Sequence, residues 1–335
     1  MLKRLLMRAN DNNPYVQMLR MVSRTFTLSI EQLPGEIRDA VMLAYLLLRV
    51  SDCLEDHPTM EASRKVALLE LWSDILAGKQ PPQALTSRIT DLDPTDPEVY
   101  VAQNADCLID LLNAQPPDVA GFIIERVQET TLGMARWQRQ GPHVTTEADL
   151  DDYMHQVAGL VGYLLTDIFS WYSPRIRQRK DYLLPLSREF GLALQTVNVI
   201  RGLRRDYERG WIFVPRTFLA QVGITADQLF APGFEDKALE VVKMLADKAE
   251  RHLQNGLEYI KTLPRTQHRI RLFCVWPLFF AVRTLAISRD NLNVLRDEAK
   301  MSRTEVKAIV RDTTLLGWSN RWLNRYYSTL NRPIY

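Results

Sequence analysis

The sequence predicts an all-α protein, and three observations favour this class. Apolar residues recur at helical spacing through most of the 335-residue chain, proline and glycine separate the periodic stretches, and strand patterns are nearly absent. The best strand candidate is the short run 211–214, and Pro215 confines it because proline cannot donate to a sheet. We therefore expect a single domain of roughly ten helices over residues 1–335.

The predicted helices are separated by residues that stop helices. Pro34 and Gly35 precede the first helix, whose apolar residues follow a helical period from Ile37 to Leu48, and Pro58 ends it. Further breaks occur at Gly78, Pro81, Pro82, Pro116, Pro117, Gly141 and Pro142. The predicted helices cover residues 36–56, 62–76, 99–114, 118–137, 150–172, 183–209, 239–263, 270–288 and 304–328.

Composition and charge exclude several classes of protein. Apolar residues make up 46%, which permits a sizeable core and argues against disorder. The net charge of 42 − 40 = +2 is too small for a basic nucleic-acid binder, so no nucleic-acid partner is expected. The cysteines Cys53, Cys107 and Cys274 form no CxxC pair, which argues against structural zinc and fits a reducing compartment. Because the chain shows no secretory signal and no run of about 18 uncharged apolar residues, we expect a cytoplasmic location.

An acidic cluster ends the first predicted helix. Asp52, Glu55 and Asp56 share one helical face, with Arg49 one turn earlier on the same side. Oxygen ligands of this kind suit Mg²⁺, which prefers one or two carboxylates together with water and substrate phosphates. The arginine suits a phosphate oxygen. The alternative interpretation is a solvated acidic helix end, although the apolar segment before it makes exposure unexpected.

A polar stripe marks the helix predicted over 183–209. Gln195, Asn198 and Arg201 recur every three residues, and the same face continues to Arg205 and Asp206. Because buried polar groups need partners, a stripe within an apolar helix indicates a cavity, a ligand or a facing polar surface. The alternative is an exposed helix face.

Five sequence blocks include these two segments and three others. They are SRTF at 23–26, YLLLRVSDCLED at 45–56, YMHQVAGLVG at 153–162, LQTVNVIRG and DYERGWIFVP within 194–215, and FCVWP at 273–277. In residues and in order, over roughly 13–309, they resemble the squalene/phytoene synthase family. The resemblance implies an isoprenoid-synthase fold around a central cavity. It also implies that two farnesyl diphosphates are joined head-to-head with Mg²⁺ to presqualene diphosphate, which NADPH then reduces to squalene.

The resemblance also implies roles for individual residues. The expected metal ligands are Asp52, Glu55, Asp56 and Asp206. The expected substrate-binding residues are Ser23, Arg24, Phe26, Arg49, Gln195, Asn198 and Arg201, to which we add Arg205 as a hypothesis. The expected catalytic residues are Tyr153, which handles a proton and the cation, with Arg49, Arg201 and Phe273. The expected NADPH contacts are Phe273, Cys274, Pro277, Lys300 and Arg303.

Several of these residues have a simpler interpretation. Phe26 and Phe273 can stabilise a carbocation through their ring faces, but from spacing alone core packing is favoured for both. Cys274 is more typical of a small buried apolar residue than of a reactive thiol. His155 is more typical of a hydrogen-bonded helix residue than of a base.

The second acidic motif departs from the family pattern. The family has Asp-x-x-x-Asp with Glu before the last Asp, whereas this chain has Gly202 at the first position and Arg205 in place of Glu, so that Asp206 alone remains. We favour the hypothesis that the arginines bind the diphosphate directly. Two other interpretations stay open, namely that Glu208 serves as a ligand or that one half-reaction is impaired.

The C-terminal segment combines basic and aromatic residues. Over 303–335 the basic residues outnumber the acidic ones by 6 to 2. The aromatic residues are Trp318, Trp322, Tyr326, Tyr327 and Tyr335, interleaved with Arg321, Arg325 and Arg332. A helix of this kind can lie on an anionic membrane, or it can pack on the body of the protein.

Two other functions stay open, a head-to-head synthase that does not reduce its product and a non-catalytic homologue. The sequence leaves the oligomeric state undecided.

Overall fold

A computed structural model describes residues 13–23, 25–141 and 143–332. Within these ranges there is no β-strand, and the predicted strand at 211–214 contributes only Ile212 to an isolated bridge with His143. The predicted all-α class is therefore confirmed.

The chain divides into two compact units. The first unit contains the residues up to Gln140 together with Tyr163–Lys180, and the second contains Gly141–Gly162 together with the residues from Asp181 onward. The single domain expected over 1–335 stays a prediction.

The helices follow the predicted order with shorter elements between them. They are α1 (Pro14–Val22), α2 (Thr25–Ile30), α3 (Gly35–Asp56), α4 (Ala62–Leu76), α5 (Gln83–Thr86), α6 (Pro97–Gln103), α7 (Ala105–Asn113), α8 (Pro117–Gln140), α9 (Glu147–Met154), α10 (Leu160–Tyr172), α11 (Pro174–Arg177), α12 (Lys180–Glu208), α13 (Arg216–Val222), α14 (Glu235–Thr262), α15 (His268–Ser288), α16 (Arg303–Leu316) and α17 (Asn320–Leu330). A π-helical turn covers His155–Gly159 and a 3₁₀ turn covers Leu292–Leu295.

Helix α3 is the centre of the first unit. It packs against α1, α4, α6, α7 and α8, which explains why its sequence is apolar on nearly every side. The hydroxyl groups of Ser51 and Thr131 lie 2.7 Å apart and satisfy each other inside the α3–α8 interface. This buried polar contact joins α3 to α8 just before the acidic C-terminal end of α3.

Helices α14 and α15 form the core of the second unit. Among the residues that the structure describes, α15 is the one helix long and apolar enough to cross a membrane by length and composition, with a mean hydropathy of 1.7. Within the protein, 89% of that apolar window is buried. Core helices meet the same criterion, so this is weak evidence for a membrane span.

Gly162 and Gly191 allow two segments of the second unit to approach closely. A Cβ atom on Gly162 would lie 2.1 Å from the Ser187 carbonyl oxygen, and one on Gly191 would lie 2.3 Å from the Ala158 oxygen. The helix predicted over 150–172 is not continuous, because the π-helical turn separates α9 from α10. Turns of this kind occur frequently at functional sites.

The C-terminal segment forms two helices instead of the single helix predicted over 304–328. Helix α16 ends at Gly317, where a Cβ atom would lie 2.4 Å from the Thr313 carbonyl oxygen. Ser319 then caps α17 by accepting the Trp322 N–H at 3.4 Å. Local capping therefore outweighs the continuous helical period of the sequence here.

Candidate active site

The acidic cluster lies at the C-terminal end of α3 in the first unit. The Glu55 residue is only 5% exposed, Asp52 is half-buried and Asp56 is exposed. Burial raises the pKa of Asp52 to about 6, with the Asp56 charge adding to the shift and Arg49 opposing it. Burial also raises the pKa of Glu55 well above its ordinary value, and the charges of Asp56 and Asp52 add to this. The burial of Glu55 argues against a solvated helix end.

Arg49 provides a counter-charge to this cluster. It donates from Nη1 to Asp52 Oδ2 at 2.9 Å and forms a second ion pair with Glu98, at the start of α6. Its Nε is buried and has no hydrogen-bond partner within the described residues. A buried donor without a partner costs free energy, and an oxyanion ligand would relieve that cost.

The carboxylates of α3 suit a divalent cation that shares its ligands with substrate. In the part of the chain that the structure describes, no three His, Cys, Asp or Glu side chains meet the geometry of a metal cluster. Mg²⁺ does not need such a cluster, because it binds through one or two carboxylates and completes its shell with water and phosphates. Burial and mutual repulsion disfavour the charged forms of Asp52 and Glu55 and so raise their pKa values. A bound cation would offset both effects, so this donor set fits Mg²⁺.

Ser23 and Phe26, which we expect to bind substrate, contact α3, the helix that carries the acidic cluster. Ser23 Oγ accepts the Phe26 N–H at 3.1 Å and also hydrogen-bonds Tyr45 on α3. The Phe26 and Tyr45 ring centroids lie 5.6 Å apart, and Phe26 is 37% exposed. Phe26 is therefore not fully buried in a core. Arg24, predicted here as a diphosphate ligand, lies outside the described residues.

Two residues of this site were not predicted from the sequence. Tyr45 lies one turn before Arg49 on α3, and burial raises its pKa. Its spacing from Arg49 and Asp52 is a signal that could have identified it. Glu98 is 49 residues from Arg49 in the chain, and no local pattern indicates their pairing.

The polar stripe of the second unit contains an arginine without a partner. Asn198 donates to Gln195 Oε1 at 3.5 Å, one turn before Arg201. Arg201 is half-buried, its Nε is buried and unbonded, and within the described residues its guanidinium has no ion pair. The neighbouring Arg204 and Arg205 each pair with a glutamate. Arg201 is therefore the residue of this stripe best prepared to receive an anion.

Gly202 makes room for the side chains that follow it. A Cβ atom there would lie 3.3 Å from Asp206 Oδ2 and 3.5 Å from Arg205 Nη2. Asp206 accepts from Arg209 at 2.6 Å, and Arg205 donates to Glu298 at 3.0 Å. These existing ion pairs would compete with a metal ion at Asp206 and with a diphosphate at Arg205.

Glu208, considered as a substitute metal ligand, is engaged elsewhere. Its Oε1 accepts from Arg204 Nε at 2.7 Å. Arg204 lies over the Phe230 ring with its guanidinium carbon 5.4 Å from the centroid. The pair lines a separate pocket of about 340 Å³ with Phe230, Leu295 and Arg296. This arrangement gives Glu208 no contact with Asp206 that would support a shared metal.

Tyr153 forms one end of a stack of aromatic rings. It is 6% exposed, and its ring centroid lies 4.5 Å from that of Phe213, which stacks in turn on Trp211 at 5.4 Å. Tyr153 lies near the end of α9, immediately before the π-helical turn that contains His155. The stack gives the phenol a rigid apolar surround.

The residues predicted for NADPH lie in two different settings. Phe273, Cys274 and Pro277 are buried in α15, and burial raises the pKa of the Cys274 thiol, as expected for a small apolar residue. Lys300 is exposed and pairs with Glu298 at 3.1 Å, while Arg303 is exposed at the start of α16. Glu298, which the sequence analysis did not identify, links Lys300 to Arg205.

Comparison with known proteins identifies the family. The sequence profile described as Squalene/phytoene synthase matches residues 19–305. Squalene synthase from Schizosaccharomyces pombe is 29% identical over 299 residues, covering 88% of this chain and 63% of that protein. Squalene synthase from Homo sapiens is 28% identical over 300 residues, covering 88% of this chain and 68% of that protein. The chain thus spans slightly less than two thirds of the yeast relative's length.

Solved structures share the fold. The structure described as TcSQS with the ligand BPH1237 has a TM-score of 0.80 at 24% identity, covering 96% of this chain and 92% of that one. A dehydrosqualene synthase in complex with a ligand has a TM-score of 0.65 at 19% identity, covering 94% and 96%. These likenesses confirm the expected isoprenoid-synthase fold. The match over residues 19–305, together with this fold, shows that the chain belongs to the squalene/phytoene synthase family.

Proposed function

We propose that this protein is a squalene synthase. Two farnesyl diphosphates would condense head-to-head to presqualene diphosphate, releasing one diphosphate and one proton. Hydride from NADPH would then reduce the rearranged cation to squalene as the second diphosphate leaves. The observation that carries this proposal is the similarity to curated squalene synthases over 88% to 90% of the chain.

The first unit would supply the site for the leaving group. A divalent ion held by Asp52, Glu55 and Asp56 would, when bound, neutralise charge on the departing diphosphate. Arg49 donates to Asp52 at 2.9 Å and would donate to a phosphate oxygen beside the carboxylates. Neutralising these carboxylates should therefore impair ionisation of the substrate more than its binding.

The second unit would bind a diphosphate and shield the cation. Arg201 is half-buried and without an ion pair in the described residues, so binding an anion would break no ion pair among them. Tyr153, Phe213 and Trp211 form a stack of aromatic rings, and aromatic faces stabilise a cation by about 0.5–2 kcal/mol each. Tyr153 carries the hydroxyl that we assign to proton handling.

The reductive step would use the residues predicted for NADPH. Lys300 and Arg303 are exposed cations that suit the phosphate groups of the nucleotide. Arg303 has no ion-pair partner within the described ranges, whereas Lys300 would have to leave Glu298. Phe273, Cys274 and Pro277 would provide the apolar lining that keeps water from the cation.

The products formed from farnesyl diphosphate test this proposal. The purified protein is incubated with farnesyl diphosphate and Mg²⁺, with and without NADPH, and the products are identified by mass spectrometry. We expect squalene only when NADPH is present. The Arg201→Ala variant should lose at least about a hundredfold in kcat/KM, whereas the matched variant Arg204→Ala, which changes a neighbouring arginine paired with Glu208, should keep its activity.

One observation favours a synthase that stops before reduction. Gly202 and Arg205 stand where the family motif has two carboxylates, which leaves Asp206 alone and already paired with Arg209. Presqualene diphosphate or an unsaturated C30 product formed regardless of NADPH would establish this alternative. No consumption of farnesyl diphosphate would instead indicate a non-catalytic homologue.

A further inference from the structure

Three apolar side chains project into solvent at the turn between α16 and α17. Leu315 is 65% exposed, Leu316 is 42% exposed and Trp318 is 50% exposed. Fully burying side chains of this kind stabilises a protein by about 1.5–3 kcal/mol each, so their joint exposure needs an explanation. We refer to Leu315, Leu316 and Trp318 as the apolar knob.

The backbone beneath the knob is held rigidly by a buried arginine. Arg271 is fully buried in α15 and donates from Nη2 to the Gly317 carbonyl at 3.3 Å and to Asn320 Oδ1 at 2.7 Å. Asn320 also donates to the Lys261 carbonyl at 3.0 Å. These contacts lie on both sides of Trp318 in the chain. The knob is therefore a preorganised feature and not a loose loop.

Unpaired cations accompany the knob. Arg321 and Arg325 lie on α17 directly after it, are exposed, and have no ion-pair partner within the described residues. Arg265 is likewise exposed and unpaired there. Burial lowers the pKa of the Arg271 guanidinium, and the charge of the nearby Arg265 adds to this shift. The surroundings of the knob therefore carry free positive charge.

The other aromatic residues that the structure describes in this segment are buried or half-buried against the protein. Tyr327 is buried and donates to Glu250 at 2.8 Å, while Trp322 stacks on Tyr326 with centroids 4.4 Å apart. Tyr326 in turn donates to Asp312 at 3.2 Å. Helix α17 therefore packs on the second unit, and within the described part of this segment the exposed large apolar side chains are those of the turn. Tyr335 lies outside the described residues.

We propose that the apolar knob inserts into the interface of an anionic lipid bilayer, with Arg265, Arg321 and Arg325 contacting lipid phosphates. An apolar projection gains free energy by leaving water, and a tryptophan ring suits the boundary between headgroups and acyl chains. Each basic residue near an anionic surface adds about 1 kcal/mol of attraction. This inference does not depend on the proposed catalytic function, because it concerns binding in the absence of substrate.

Vesicle sedimentation tests the proposal. The full-length protein is mixed with vesicles of phosphatidylcholine alone or of phosphatidylcholine with phosphatidylglycerol, and the bound fraction is measured at several salt concentrations. We expect binding to the anionic vesicles that weakens with salt. Changing Leu315, Leu316 and Trp318 together to Ser should weaken binding at least about tenfold. The matched control Leu132→Ser, which removes an apolar side chain of 48% exposure in the first unit, should bind as the wild type.

Charge variants separate the two contributions. Changing Arg265, Arg321 and Arg325 together to Gln should abolish the preference for anionic vesicles and most of the salt dependence, whereas Lys243→Gln should leave both unchanged. Circular dichroism checks that each variant is folded, and the single variant Leu315→Ser, expected to weaken binding about threefold, replaces the triple variant if that one misfolds.

Three results would overturn the proposal. The first is no sedimentation of the wild type with anionic vesicles at low salt. The second is unchanged binding by the knob variant. The third is that the wild type does not bind vesicles but self-associates, and that the knob variant does not self-associate. This result would assign the surface to a protein contact.

Discussion

Arg205 and Glu298, separated by 93 positions in the chain, form an ion pair with 3.0 Å between Arg205 Nη1 and Glu298 Oε1. The other oxygen of Glu298 accepts from Lys300 at 3.1 Å. One carboxylate thus connects the helix of the polar stripe to the basic segment before α16. Arg205 stands where the family motif has a glutamate, and in this chain its positive charge is paired with Glu298.

The Arg205–Glu298 pair should control access of Arg205 to a diphosphate. Replacing Glu298 with Gln should lower the KM for farnesyl diphosphate about threefold. The effect is small because an exposed ion pair opposes the transfer of Arg205 from Glu298 to a diphosphate by no more than about 1 kcal/mol. Arg205→Ala should raise that KM about tenfold, whereas Arg204→Ala should not change it. Steady-state kinetics at fixed Mg²⁺ checks this prediction, and an unchanged KM in Arg205→Ala would contradict direct binding of diphosphate by Arg205.

Neutralising the buried carboxylate of Glu55 should stabilise the fold while it removes activity. The Glu55→Gln variant should gain about 0.5–2 kcal/mol in free energy of unfolding, because a buried charge beside Asp52 and Asp56 is replaced by a neutral amide. Its kcat should fall at least about a hundredfold if Glu55 holds the metal. Urea unfolding and product formation are both measured, and the exposed Asp39→Asn variant is the control. A loss of stability in Glu55→Gln would contradict the prediction.

The buried guanidinium of Arg271 should be essential for the second unit. Its Nη1 donates to the Ile260 and Leu263 carbonyls at 2.8 Å each, and its Nη2 reaches Gly317 and Asn320. Arg271→Met would leave several of these acceptors unsatisfied, so the free energy of unfolding should fall by about 3 kcal/mol. Chemical denaturation measures this change. A loss comparable to that of the exposed control Arg269→Met would disprove the structural role of Arg271.

A glutamate–histidine contact should make stability depend on pH. Glu189 Oε2 lies 2.6 Å from His252 Nδ1, and this hydrogen bond is the main reason that the pKa of Glu189 is lowered from its ordinary 4.5. Because the folded pKa is depressed, Glu189 contributes stability above the ordinary pKa, and the contribution disappears as pH falls through the folded value.

The Glu189→Gln variant tests this pH dependence. At pH 7 it should lose about 1 kcal/mol of the free energy of unfolding, since the group is only half-buried. The difference from wild type should shrink as pH falls below about 4.5, the ordinary value of the carboxyl. Urea unfolding across this range provides the measurement, with the exposed Glu240→Gln as the control. A difference that stays constant with pH would contradict the assignment.

Local features of the chain were predicted reliably from the sequence. The all-α class followed from helical periodicity, and the face shared by Arg49 and Asp52 followed from their spacing, which the 2.9 Å ion pair confirms. Continuity of helices was less predictable. Close packing at Gly162 and Gly191 accompanies the π-helical turn in the predicted helix 150–172.

The partners of the charged residues were decided by the tertiary structure. Spacing within one helix restricts side chains that lie three or four residues apart, so periodicity reveals them. The pairings of Arg49 with Glu98 and of Arg205 with Glu298 join distant segments, as does the fit of Arg271 beneath the turn after α16. Packing between helices determines which distant groups meet, and therefore which cations are neutralised and which, like Arg201, stay available for an anion.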